Sequence, residues 1–300
     1  MEKFYDKSFC IDKKIMRSRI IHICSGWGWQ TIIAYILSKK TSFKNLKIAE
    51  VGCGTGSFSL ILNFLGADTM LIDADEDALA ASKKVFALYN RHATFIKSDV
   101  LAPVPEDLIG SYDIVISCGL AEHFVGEDRE KCFLFHKALL KKDGFAYIGV
   151  PNKFSLCYQI VRLFRKMTRT WGIKTEDPFT YWELQKVSKK VGFQKSVIIG
   201  NHFLREDIII YSIGFISAVL DVLPPKVRAI RKRRKTKKCF DGEKGENQEE
   251  RMVLDRVAHL KNGLKVKRKK IKDYFSAGLI SFSFLNGEKD SDIYCENKKV

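Results

Sequence analysis

An apolar run that ends at Glu50-Val51, breaks into glycines at 52, 54 and 56, and resumes as Phe58, Leu60, Ile61 and Leu62 constrains this chain more than any other stretch. The spacing after the loop suits a helix facing a sheet, so residues 48–62 predict strand, glycine turn, helix. A phosphate-cradling loop of the P-loop type needs a Lys after its last glycine, and none follows Gly56. A dinucleotide loop needs its third glycine at 57, which is Ser57, and would not normally carry Glu50 two residues before the first glycine. Both phosphate-binding readings weaken. What remains is a nucleoside without phosphates, whose cationic part a carboxylate would favour.

The same strand-and-helix rhythm continues downstream. Thr69 to Ile72 is a short apolar run ending at Asp73, and Asp75 opens a helix with acids in its first turn. Residues 93–96 make another run, closed by Ser98-Asp99-Val100. Tyr112 to Ser117 has the pattern of a buried strand, a helix is expected from about 129 to 140, and the strand 145–150 stops at Pro151-Asn152. Short strands alternating with helices predict an α/β fold whose parallel sheet is covered on both faces. An amphipathic helix at 154–167, with apolar residues at 154, 157, 158, 160, 161, 164 and 167, lies outside the alternation. Thr180 and Glu183 have capping-box spacing, so a helix to about Val191 and a strand at 193–199 follow.

Past Asn201 the composition changes. Residues 208–223 are mostly apolar but number sixteen, short of the ~20 needed to span a bilayer. LISFSFL at 279–285 reads as a last strand returning to the sheet after a long insertion. The expected organisation is an N-terminal helical cap (1–45), a ligand-binding core (46–200) with a lid at 151–180, an apolar and basic insertion (201–278), and the last strand with a tail (279–300).

The formal charge of +17 would signal nucleic acid or membrane if it were spread evenly. It is concentrated in two runs, Lys226 to Lys238 with nine Lys or Arg and Lys261 to Lys272 with seven, neither containing an acid. Without them the chain is nearly neutral, at about +1. Eight cysteines lie scattered with no CxxC pair, and no cleavable apolar segment follows the start, so a reducing, cytoplasmic setting without disulfides or structural zinc is expected.

Four segments now stand in register: E-V-G-C-G-T-G (Glu50 to Gly56), Asp73 after the second strand, S-D-V (Ser98 to Val100) after the third, and D-I-V-I-S-C-G-L-A-E-H-F (Asp113 to Phe124) at the fourth. In order and spacing they resemble the class I S-adenosylmethionine-dependent methyltransferases, over roughly residues 46–200. The resemblance implies a seven-stranded, mostly parallel, doubly wound sheet with a helical, basic insertion before its last strand, and S-adenosyl-L-methionine as cofactor. It places Glu50 near the methionine moiety and Gly52, Cys53, Gly54 and Gly56 where backbone meets the ligand. Asp73, with Ala74 beside it, would accept hydrogen bonds from the ribose hydroxyls, and Asp99 and Val100 would flank the adenine. Cys118 would line the same side as a small residue. A cytosine-C5 enzyme would put Pro before its reactive Cys, whereas Ser117 precedes Cys118.

Methyl transfer from a sulfonium is an in-line displacement, so a base is needed only if the acceptor must lose a proton. Glu122 and His123 lie just past the fourth strand, where open parallel sheets bind ligands, and are the candidate catalytic pair. His is the residue type suited to proton exchange near neutral pH. The segment is similar to the E-x-x-E-H metal site of some small-RNA and quinone-pathway O-methyltransferases, but Gly119 occupies the first Glu position, so no metal is expected. The Asn/Asp-Pro-Pro-Tyr motif of nucleic-acid amino methyltransferases is absent. Tyr5, Trp27, Trp29, Phe154, Tyr158, Trp171, Phe179 and Trp182 would individually be core residues and collectively suit a lid over an apolar or ring-shaped acceptor. A small-molecule or lipid-linked O-acceptor at a membrane surface is the expected substrate, with residues 208–238 offering an apolar and then basic contact to anionic lipid. RNA held by the two basic runs is the runner-up, and a non-catalytic binding protein the third alternative.

Overall fold

Four of the five residues of β1 (Lys47–Val51) are buried, which requires cover on both sides of the strand. In the computed structural model, which describes residues 12–40, 42–168, 176–201, 248–261, 264–265, 278–286 and 296–297, that cover is two separate cores. Successive strand residues go to opposite cores. Ile48, Ile114, Ile116, Phe145 and Tyr147 join one, and Ala49, Val115, Ala146 and Ile148 the other.

The sheet has seven strands. β1 pairs in parallel with β2 (Asp68–Asp73) and β4 (Tyr112–Cys118), β2 with β3 (Thr94–Lys97), and β4 with β5 (Leu140–Pro151). β7 (Gly278–Phe284) lies antiparallel between β5 and β6 (Lys195–Asn201), so the order is β3-β2-β1-β4-β5-β7-β6. The expected mostly parallel sheet and returning last strand are both present. Residues 264–265 and 296–297 form a separate two-residue ladder.

Helices α1 (Lys13–Ser25) and α2 (Trp27–Lys39) bring Met16, Ile20, Trp29, Ile32, Ile33 and Ile36 into the first core. α3 (Ser57–Phe64) and α4 (Glu76–Leu88) cover the same face. α5 (Gly126–Leu139) and α7 (Tyr181–Lys190) cover the other. α6 (Leu156–Met167) leaves the end of β5. α8 (Gln248–Lys261), an element the sequence reading did not assign, adds Val253 and Val257 to the first core. Among the described residues no single helix is long and apolar enough to cross a membrane.

Two boundaries move for local reasons. α5 starts at Gly126, not 129, because Glu127 and Asp128 supply the acids that favour a helix's first turn. β5 starts at Leu140, where pairing with Tyr112 extends the strand past an irregularity in register.

Candidate cofactor and acceptor site

The glycine loop joins β1 to α3 at the carboxyl end of the parallel strands. Gly52, Gly54 and Gly56 all have positive φ, at 66°, 53° and 65°. A Cβ on Gly56 would stand 2.3 Å from Leu71 Cδ2 and 3.2 Å from Ser82 Cβ, so this glycine is required for α3 to pack against β2 and α4. A Cβ on Gly52 would meet Leu120 at 2.8 Å. Four amides of the loop are already satisfied: Gly52 and Cys53 donate to Ile72 O, Gly54 to Asp73 Oδ2, and Gly56 to Cys53 O. A phosphate cradle keeps such amides for its anion, so the loop is built to hold something else.

Glu50 has a task that the residue pattern does not disclose. Its Oε2 accepts the Ser59 amide at 2.9 Å, filling one of the open donors in the first turn of α3, where Gly56 has no side chain to cap with. Burial pushes its carboxyl up to about 7, against the pull of the Ser59 hydrogen bonds. From α1, Arg19 Nη1 reaches Thr55 Oγ1 at 2.6 Å. Cys53 is buried, and burial drives its thiol well above the ordinary range, so it is no thiolate nucleophile.

Asp73 ends β2 beside the loop. Oδ2 accepts the Gly54 amide at 2.9 Å and Oδ1 the Asp75 amide at 3.0 Å. A carboxylate has about four acceptor positions, so capacity for ribose hydroxyls remains after these two. Ala74 is half-buried next to it. Asp75 caps α4 by accepting the Asp77 amide at 2.9 Å, as its position implies, which leaves Asp73 free of that duty. After β3, Asp99 is exposed and folds back onto the Leu101 amide at 2.9 Å, while Val100 is buried with Ile72. The three strand ends thus set Gly54, Asp73 and Asp99 side by side in sheet order.

At the end of β4, Cys118 is exposed, and Gly119, with φ of 76°, turns the chain into the short 3-10 turn Ala121–His123. The turn sends its last two residues different ways: Glu122 is buried and His123 half-buried. Glu122 Oε1 lies 3.4 Å from where a Cβ of Gly119 would be, and Oε2 is buried without a hydrogen-bond partner. A strap at residues 176–179 closes over it. The Asp177 amide donates to Glu122 O at 2.8 Å, Arg129 donates to Asp177 O and Oδ2 and lies 4.0 Å from the Phe179 ring centroid, and Arg162 of α6 donates to Glu176 O at 2.6 Å. Arg129, Arg162 and Glu176 were not candidates from sequence, since nothing in their local pattern marks them.

Burial raises the Glu122 carboxyl to about 8, with nearby Glu176 adding to the rise and Arg129 opposing it. The folded protein therefore keeps a proton that the unfolded chain, titrating near its ordinary value, has already lost. Stability conferred by this site is present below the unfolded pKa and falls as pH rises towards 8. Glu122→Gln should flatten that part of the curve, and at pH 8 should exceed wild type by about 2–4 kcal/mol. Thermal unfolding from pH 5 to 9 checks this; parallel curves would remove the assignment.

The aromatic residues of the expected lid divide by burial. Trp29, Tyr158 and Phe179 are core residues, Trp29 packing edge-on to Phe58 at 5.2 Å. Phe154 and Trp182 are exposed and pack on each other at 6.1 Å. Tyr5, Trp171, the side chain of Trp27, the apolar stretch 208–223 and the basic run 226–238 lie outside the described residues, as does nearly all of the run 261–272.

A seven-stranded sheet of this order, with a glycine loop after β1 and an acid after β2, defines the class I methyltransferase fold, and residues 49–146 match the methyltransferase domain family. The likeness to a methyltransferase domain thus rests on residues 49–146 and on a sheet of the class I methyltransferase layout. The chain is 38% identical to the release factor glutamine methyltransferase of Flavobacterium psychrophilum over 26% of its own length and 28% of that protein's. It is 26% identical to the ubiquinone biosynthesis O-methyltransferase of Pelagibacter ubique over 56% of this chain and 70% of the relative. A solved S-adenosylmethionine-dependent methyltransferase of Thermotoga maritima shares the fold at a TM-score of 0.51 and 14% identity, covering 91% of this chain and 96% of that one. The chain spans only 28% and 34% of the length of two of these curated relatives, the release factor enzyme and a ribosomal protein L11 methyltransferase of Thermotoga neapolitana.

Proposed function

We propose that the protein transfers a methyl group from S-adenosylmethionine to an oxygen of a small-molecule or lipid-linked acceptor near a membrane surface, in the cytoplasm. The observation that carries the reading is the hydrogen-bonded pair of Gly54 and Asp73, which ties the glycine loop to the acid expected at the ribose. The residues fit the cofactor: the loop's amides are occupied within the fold, as a ligand region without phosphate requires, and three positive-φ glycines let the backbone turn at the strand ends. Glu50 and Asp73 put negative charge beside the loop, which favours a cationic ligand, although Glu50 titrates near neutrality. Gly52, Cys53, Gly54 and Gly56 would face the methionine and ribose, Asp73 and Ala74 the ribose, and Asp99, Val100 and Cys118 the remaining rim.

When bound, S-adenosylmethionine supplies a methyl carbon activated by sulfonium charge. The protein's part is to hold an acceptor hydroxyl in line with that carbon and to take its proton. His123 is the residue for the second task, half-buried at the strand ends and outside the buried Glu122. Similarity to an enzyme named for ubiquinone biosynthesis, over more than half of this chain, supports an oxygen acceptor of small-molecule type. RNA as acceptor rests on the basic runs 226–238 and 261–272, of which only residues 261, 264 and 265 are described.

The test is transfer of an isotopically labelled methyl group to hydroxylated aromatic and lipid-linked acceptors, read by mass spectrometry and run with Asp73→Ala. That variant should weaken S-adenosylmethionine binding by roughly 1.5–3 kcal/mol in calorimetry, the scale of hydrogen bonds to a charged group. Unchanged affinity would refute the ribose assignment. Labelled RNA with unlabelled small acceptors would replace the substrate class.

A further inference from the structure

α6 has its apolar arc on the wrong side for a helix of a water-soluble surface. Leu156, Ile160, Leu163 and Met167 follow one another at intervals of four, three and four residues, which places them within about 60° of arc at 3.6 residues per turn. Together with Phe154 and Trp182 they are 46% to 75% exposed. The opposite side of the helix, facing the strap over Glu122, carries Tyr158, Val161 and Arg162, of which Tyr158 feels Glu176 and Arg162 bonds its carbonyl. Surface helices normally turn their apolar stripe inward. A contiguous row of large apolar side chains held outward marks an interaction surface.

We infer that the outward face of α6, with Phe154 and Trp182, docks the protein on an anionic lipid surface with the mouth of the site at its edge. The helix contains no Asp or Glu, and Lys153 and Lys166 are exposed beside the apolar arc, so the face suits negatively charged headgroups around an apolar interior. Trp182 supplies an aromatic ring of the kind that settles at such interfaces. A second copy would bring two such basic rims together, and residues 208–223 lead directly into nine further basic residues, so charge opposes both of these as occupants. The position is also right for lipid-borne cargo. The chain passes from the carboxyl end of β5 through Asn152, bridged to Phe179, straight into α6, capped by Ser155.

The inference deepens the proposed membrane-side acceptor, but its test needs no turnover. Wild type should co-sediment with phosphatidylglycerol-containing vesicles, and Leu156→Ser/Ile160→Ser/Leu163→Ser should lower the partition coefficient at least about tenfold, given the apolar area withdrawn from lipid. Because these side chains are exposed, the fold and S-adenosylmethionine binding should be unaffected. In full-length protein with the native α6, brominated lipid should quench a part of the tryptophan emission that Trp182→Phe removes. Retained vesicle binding in the triple variant, no binding by wild type, unquenched Trp182, or a dimer that the variant converts to monomer would each overturn the docking. Loss of S-adenosylmethionine binding with vesicle binding intact would instead refute the methyltransferase reading.

Discussion

Gly54→Val should abolish S-adenosylmethionine binding while leaving a folded protein. Gly54 has a φ of 53°, a conformation in which a β-branched residue is a genuine outlier. The strain can be relieved only by rotating the peptide that donates to Asp73 Oδ2, and that rotation detaches the loop from the end of β2. Two contributions to the ligand region are lost together, the open approach and the orientation of Asp73. Affinity should fall by at least about a hundredfold, equal to nearly 3 kcal/mol. Gly56→Val is not an equivalent probe, since its side chain would collide with Leu71 in the core and unfold α3 from the sheet. Calorimetric titration with S-adenosylhomocysteine, paired with a thermal melt, separates the two effects; near wild-type affinity in Gly54→Val would show that the loop does not contact the ligand.

His123→Ala should slow the chemical step by about 10²–10⁴ and leave cofactor affinity alone, the range for loss of a positioned general base. The 3-10 turn makes the separation clean. Glu122 points inward under the strap, whereas His123 is half-buried and lies two strand ends from Asp73, with β1 between β4 and β2. Single-turnover rates across pH check the assignment, because a base contributes only in its unprotonated form. A variant with full activity above neutral pH would mean that the acceptor needs no base or draws on another residue.

The alternation of strands and helices was legible because a parallel sheet demands near-continuous apolar runs, and β1, β2 and β4 have them. The glycine loop was legible for the same kind of reason, since positive φ leaves few other choices of residue. What could not be read is directional. The period of 3.6 in residues 154–167 reveals an amphipathic helix but not which way its apolar side faces. The stripe expected from sequence divides, with Tyr158 and Val161 buried and Phe154, Ile160 and Met167 exposed alongside Leu156 and Leu163. Glu50 illustrates a second limit. Its place before the glycines pointed to the ligand, and only the fold shows that one oxygen caps α3. The strap over Glu122 joins residues some fifty positions apart, Arg129 with Asp177, which no local pattern can announce.

The position of β7 between β5 and β6 imposes an order of events during synthesis. β6 ends at Asn201, yet the strand it pairs with among the described residues begins at Gly278. At about 5–20 residues per second the ribosome needs roughly 4–15 seconds to make the intervening chain. Throughout that interval β5 has a bare edge and β6 has no partner, and both are apolar. An exposed apolar edge is a template for pairing with other chains. Nascent molecules halted between these two strands should therefore be the ones that aggregate or recruit chaperones, and ribosome profiling after a stall placed near residue 240 would find them held at that stage.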